Sequence, residues 1–368
     1  MRSSRTIKTG ASLVGVTALA IAAAACGGAK SGSSSASSAA DSGSKVPAAS
    51  SAVSSVAGGA SSAATSAASS VSGAASGGTL AKSDGSTTIK LNTQSWVGSQ
   101  ANSAVLTYVL ENMLGYKVQE TKVSEIPAWN ALSQGETDFL PEDWGHTPQY
   151  NQFVKGSKTV TDAGKEGIDG VIGWYTPKYV VDAHPEMATW EGLKTLSGLF
   201  KTAQTGDKGM LLDGAADFVT NDEGLVKNLK LNMKVVYGGS EAAEITQVQQ
   251  AYAQKKPIIF YWYDPQWLNS KLDLVHVKLP TPQPECNSDS KTASCDYPPY
   301  PLEKYVSTKA VNDPKKASAV QLLKNWTWTS ADQDAVALMI ADKHMTPADA
   351  GKAWVTANMD KVNAWIKA

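Results

Sequence analysis

From Thr88 onward, short apolar runs alternate between two periods. "TIKLNTQ" (Thr88 to Gln94) alternates and begins with β-branched residues, which predicts a strand. After "SWVGSQ", the segment "ANSAVLTYVLENMLG" repeats apolar positions at helical spacing through Val105, Leu106, Val109, Leu110 and Met113, with Gly115 at the C-cap. "YKVQETKV" predicts a second strand, "IPAWNALSQG" a short helix and "TDFLPEDW" a third strand. Such a strand–helix alternation favours a mostly parallel sheet with helices on its faces.

A second lobe is expected to open after "GVIGWYTPKYVVD". It holds "WEGLKTL", "GMLLDGAADF", the helix "EGLVKNLKLN" and the strand "KVVYGG". In "SEAAEITQVQQAYAQKK", Ser240 is the expected N-cap, with Glu241 and Glu244 in the first turns and Ile245, Val248 and Tyr252 on one face. Pro257 then leads into "IIFYWYDPQW", a strand with five rings in ten residues. In "TPADAGKAWVTANMDKVNAWI", Thr346 is the expected N-cap and Pro347 the first helical residue, with Asp349 three positions after the cap. The expected order is a first lobe over 87–176, a second over 177–280, and a return to the first over 281–368 with C-terminal helices.

The N-terminus reads differently. Arg2, Arg5 and Lys8 precede an apolar run, Leu13 to Ala25, that is short for a permanent span. It closes as "AIAAAACGG", similar to a bacterial lipoprotein signal, with Ala23 where Leu is commoner. Residues 1–25 are therefore expected to be a signal peptide and Cys26 the lipidated first mature residue; an ordinary secretory signal is the other reading. Residues 26–86 are nearly all Ser, Ala and Gly, with too little apolar bulk to offset the entropy of ordering, which predicts a tether. The expected location is outside the cytoplasm, on the outer face of the cell membrane.

Of three cysteines, Cys26 takes the lipid. Cys286 and Cys295 share a Pro/Ser/Asp-rich loop, where a disulfide is expected in an oxidising compartment; two free thiols are the alternative. A net charge of −1 without a Lys/Arg stripe argues against nucleic acid. The four histidines are scattered, and nucleophile, phosphate-loop and metal-ligand spacings are missing, so neither an enzyme nor a metal or cofactor is expected. The adjacent carboxylates of "PEDW" point to opposite faces of a strand and make no acid/base pair.

Several rings fall at predicted strand ends: Trp96, Trp144, Trp174, Phe218, Trp262, Tyr263 and Trp267. In open α/β sheets ligands settle at the carboxyl ends of strands, so such rings can converge on one cleft. Converging rings suit a quaternary ammonium, which cannot donate hydrogen bonds and gains about 0.5–2 kcal/mol per cation–π contact. The helix start in "WVGSQ", with Gly98 and Ser99, offers backbone N–H groups to an anionic end. Asp143 and Asp217 flank two of the rings; either one facing the cleft favours a pure cation such as choline. Trp129, Trp190, Trp326, Trp328, Trp354 and Trp365 are read as core.

Four stretches, "TQSWVGSQANSAVLTYVLENMLGYKVQ", "WNALSQGETDFLPEDW", "IGWYTPKYVVDAHPEM" and "AYAQKKPIIFYWYDPQWL", occur in the order seen in substrate-binding lipoproteins of ABC importers for glycine betaine, proline betaine, choline and carnitine, which this chain resembles over roughly 88–280. The resemblance implies an α/β, two-lobed periplasmic-binding-protein fold of the type II-like, hinge-closing kind, with a mixed, mostly parallel sheet in each lobe. It also implies an aromatic cage for the ammonium head. Trp144 matches a family tryptophan; Tyr263 stands where relatives often have Trp, with Trp262 one residue earlier. Phe218 falls near another cage tryptophan but lacks its usual Gly-Cys and Trp surroundings, and Gln266 stands where relatives often carry His.

The expectation is thus a monomeric solute-binding lipoprotein that hands a quaternary-ammonium solute to a membrane permease and its ATPase. Glycine betaine comes first as ligand, with choline and carnitine close behind. A ligand-sensing lipoprotein and a cell-envelope hydrolase are the alternatives.

Overall fold

The structure, a computed structural model, describes residues 78–218 and 220–367. The expected signal peptide, Cys26 and most of the tether lie outside the described residues. The tether was expected to reach 86, but packing begins earlier. Leu80, the first bulky apolar residue after the Ser/Ala/Gly run, is buried and its N–H donates to the Ile366 carbonyl at 2.7 Å.

Among the described residues nine strands form: β1 (Thr88–Asn92), β2 (Lys117–Thr121), β3 (Phe139–Asp143), β4 (Val160–Pro177), β5 (Gly209–Asp213), β6 (Met233–Tyr237), β7 (Phe260–Asp264), β8 (Leu274–Val277) and β9 (Tyr300–Ser307). Their order is β2-β1-β3-β9-β4-β7-β5-β6, with β8 also on β4. β1 is parallel to β2 and β3, and β5 is parallel to β6 and β7. The two long strands β4 and β9 supply the antiparallel pairs that make the sheets mixed.

β4 serves both lobes. It pairs with β9 as far as Gly170↔Tyr300 and with β7 from Val171↔Asp264. The exchange of partners therefore falls at Gly170–Val171, and the chain returns at Tyr300, rather than at 177 and 281. The reason lies in packing: Ala293 and Tyr297 are buried in the second lobe's core with Leu225 and Tyr261. The segment after 280 thus stays with the second sheet until β9 begins.

The N-cap expectations hold at Ser240 and Thr346, while the turn ending at Met113 is capped by Leu114, with Gly115 one residue beyond. Ser240 and Thr346 accept the N–H groups of Ala243 and Asp349. The first long helix runs Val97–Tyr108, a turn earlier than its apolar period suggests, with Trp96 at the N-cap position. Trp326, Trp328, Trp354 and Trp365 pack against one another in the first lobe, with Trp354 and Trp365 stacked at 5.7 Å and Trp328 edge-on to Trp354. Trp190 is only half-buried, covered by Lys194 at 4.2 Å from its ring. Cys286 and Cys295 are joined by a disulfide, with Cα atoms 5.8 Å apart.

Candidate functional site

A cavity of about 430 Å³ collects aromatic residues from both lobes. Trp96 enters from the turn after β1 and Trp144 from the end of β3. Tyr261 and Tyr263 come from β7, Phe218 from the segment after β5, and Tyr297 and Tyr300 from the entry to β9. Trp96 meets Phe218 edge to face at 5.8 Å, and Phe218 lies 6.4 Å from Tyr261. Among the described residues that line the cavity there is no Lys or Arg.

Four of the residues expected from sequence come together here: Trp96, Trp144, Phe218 and Tyr263. The other five do not line this cavity. On β7 the alternation sends Phe260 and Trp262 into the larger core while Tyr261 and Tyr263 face the cavity side. Trp262 is fully buried and its Nε1 donates to Asn269 at 2.6 Å. Ser99 is buried and its hydroxyl accepts the Gln94 N–H, while Gly98 packs against the Gln333 amide. Asp143 points away, to Trp129 Nε1 and His146 Nδ1 at 2.9 and 2.7 Å. Asp217 is exposed and lies on a separate depression with Gln94 and Lys122.

How the two tryptophans are held was not legible in the sequence. Trp96 Nε1 and Trp144 Nε1 both donate to the same oxygen of Glu142, at 2.7 and 2.6 Å. The other oxygen accepts from Asn102 and Gln333 at 2.5 and 2.9 Å. One buried carboxylate thus fixes two cavity-lining rings by their N–H edges. Burial pushes Glu142 up to about 7, against the pull of these donors. Gln333 also approaches Glu166, whose buried carboxyl accepts Trp328 Nε1 at 2.8 Å.

On the other face of β3, His146 lies between Asp143 and Glu125, at 2.7 and 2.9 Å. Burial disfavours its charge, yet the two carboxylates raise it to about 10, so it stands as an imidazolium. The disulfide loop forms part of the rim through Asn287, Ser288, Asp289 and Ser290. Asn228 Nδ2 holds this loop through the carbonyls of Lys291 and Ala293. Gly224 is packed against the Ser290 carbonyl so closely that a Cβ would collide with it.

The model for the substrate-binding domain of ABC-type glycine betaine transport systems matches residues 87–357. The chain belongs to this family. A glycine betaine/carnitine transport binding protein, GbuC, from Listeria monocytogenes is 30% identical over 126 residues, 34% of this chain and 37% of that protein. The aligned part thus spans little more than a third of the relative's length.

Solved structures agree on the two-lobed fold. Lactococcal OpuAC in its closed-liganded form with glycine betaine has a TM-score of 0.59 at 21% identity, covering 76% of this chain and all of that one. A choline-binding protein of an ABC transporter, in complex with choline, has a TM-score of 0.62 at 15% identity, covering 76% of this chain and 91% of that one. ProX from Borrelia burgdorferi gives 0.62 at 17% identity, covering 76% and 96%.

Proposed function

We propose that this protein captures a quaternary-ammonium solute outside the cytoplasm and hands it to an ABC permease driven by its ATPase. One observation carries the reading: Trp96, Trp144, Tyr263 and Phe218, drawn from both lobes, line a single cavity without Lys or Arg among its described lining residues. Ring faces attract a methylated ammonium by quadrupole and apolar contact, about 0.5–2 kcal/mol each, so three such contacts supply a large part, though not all, of the ~8 kcal/mol that micromolar affinity needs. The Glu142 carboxylate behind the indoles adds a negative charge in a low-dielectric setting. Family membership supports the transport role, and the names of its relatives suggest glycine betaine, choline and carnitine as candidates.

Closure follows from the placement of the rings. A ligand touching Trp144 and Tyr263 at once is favoured only when the two lobes approach, so binding and closure are linked. Lipidation at Cys26 and the Ser/Ala/Gly tether would keep the lobes near the permease on the outer membrane face. Isothermal titration against glycine betaine, choline, carnitine and amino acids tests the ligand class. Saturable binding confined to the methylated ammonium compounds is expected; no heat and no melting shift with any of them would sink the reading.

A further inference from the structure

Three donors that would suit a ligand carboxylate meet beside the aromatic cavity. They are the Val97 N–H at the start of the helix Val97–Tyr108, the Tyr263 hydroxyl on β7, and Gln266 Nε2 just beyond β7. All three are already taken by one side chain. Glu241 Oε2 accepts the Val97 N–H at 2.8 Å, and Oε1 accepts Gln266 Nε2 at 2.8 Å together with the Tyr263 hydroxyl. Glu241 is 6% exposed and is the first residue of the helix Glu241–Ala253 in the second lobe, so its carboxylate reaches across to the helix start of the first. An anion at a helix N-terminus is well placed, and this one belongs to the protein.

The surroundings carry the same sign. Glu125 and Asp289 line the cavity, and Glu142 lies behind its indoles. The lining cation, His146, is held by Asp143 and Glu125. A zwitterionic solute whose ammonium enters the cage would bring its carboxylate to occupied donors and a like charge, which costs affinity in a desolvated site. A cation with a neutral tail meets no such penalty.

We infer that Glu241 is a built-in counter-anion that takes the place of a ligand carboxylate, so that the site selects quaternary-ammonium cations with a neutral tail, such as choline, over betaines. This rests on the quaternary-ammonium reading above and reverses the order of ligands suggested by the sequence alone. The single residue Glu241 sets the preference by its negative charge together with its occupation of the donors, not by forming part of the ring cage.

Titration of the purified full chain with choline chloride and with glycine betaine tests it, in the wild type and in Glu241→Gln and Glu241→Ala. The wild type should bind choline at least about tenfold more tightly than glycine betaine. Both substitutions should shrink that ratio by about fivefold or more, chiefly by improving betaine. Glu241→Gln keeps the side chain's shape and an oxygen for the Val97 N–H, so it decides the matter should Glu241→Ala fail to fold by circular dichroism. Equal wild-type affinities, or a ratio unchanged in the folded variants, overturn the role of Glu241 and leave the ligand class standing. Binding of neither compound by the wild type removes the ligand class itself, and this inference with it.

Discussion

Trp144, at the end of a first-lobe strand, meets Tyr263 of the second lobe edge to face, with ring centroids 5.6 Å apart. The contact spans the two sheets, so each ring's position depends on how the lobes sit. Gly170, where β4 changes partners, lies under the Trp144 ring so closely that a Cβ would come within 2.4 Å of it. Trp144→Ala should weaken binding of the preferred ammonium ligand by at least about tenfold, the loss of one strong cation–π contact. Gly170→Val should weaken it as well, by displacing the ring. Titration calorimetry reads both, and an unchanged affinity in Trp144→Ala would refute the cage.

Affinity should depend on pH through Glu142. A cation in the cage favours its ionised form, and burial places its titration at about 7, so affinity rises as pH increases through that value. Glu166, reached through Gln333, and Tyr263 face the same region; burial raises both groups' pKa values well above the usual. His146 stays protonated on both sides of neutrality. Between pH 6 and 8 the gain should be roughly three- to tenfold, and Glu142→Gln should flatten it while leaving two indoles hydrogen-bonded. An equal slope in the variant would assign the effect elsewhere.

Stability should fall on the alkaline side because of His146. Its folded value of about 10 exceeds the ordinary value near 6.5, so the bonds to Asp143 and Glu125 contribute fully below about pH 6.5 and are lost as pH rises toward 10. Urea denaturation at pH 6 and 9.5 should show a loss of about 2–4 kcal/mol in the wild type. That loss should be largely missing in His146→Gln.

The disulfide should act on both stability and the rim. Cys286 and Cys295 are nine positions apart, and closing so short a loop is worth about 2–3 kcal/mol. The double substitution to Ser should lower stability by about that amount and loosen Asn287–Ser290, weakening ligand binding by several-fold. Denaturation and titration with and without reductant measure the two effects.

Neighbours on β7 should behave oppositely. Trp262→Ala removes a fully buried ring and should cost about 3–5 kcal/mol of stability. Tyr263→Ala removes a cavity ring and the hydroxyl that donates to Glu241, so its main effect should be on affinity. Matched denaturation and titration of the two variants would expose a wrong assignment at once.

Period and capping determine much of this protein by themselves. The alternation in "TIKLN", the Ser240 and Thr346 caps and the proximity of Cys286 to Cys295 are local properties, and the first strand, two helix starts and the disulfide follow from them. Rings at strand ends also pointed to Trp96, Trp144, Phe218 and Tyr263, because side chains there lie where open sheets gather ligands.

What only tertiary structure decided is which side chains meet across long separations. One β4 strand serving two sheets, Glu142 shared by Trp96 and Trp144, and Glu241 seated on Val97 join residues with no common local period. Strand period left Trp262 and Tyr263 on opposite faces without saying which face was buried; packing against the core chose. The helix start at Val97 was legible as a place for an anion, since its free N–H groups are intrinsic to any helix. That the anion is Glu241, 144 residues away, is a property of the folded chain alone.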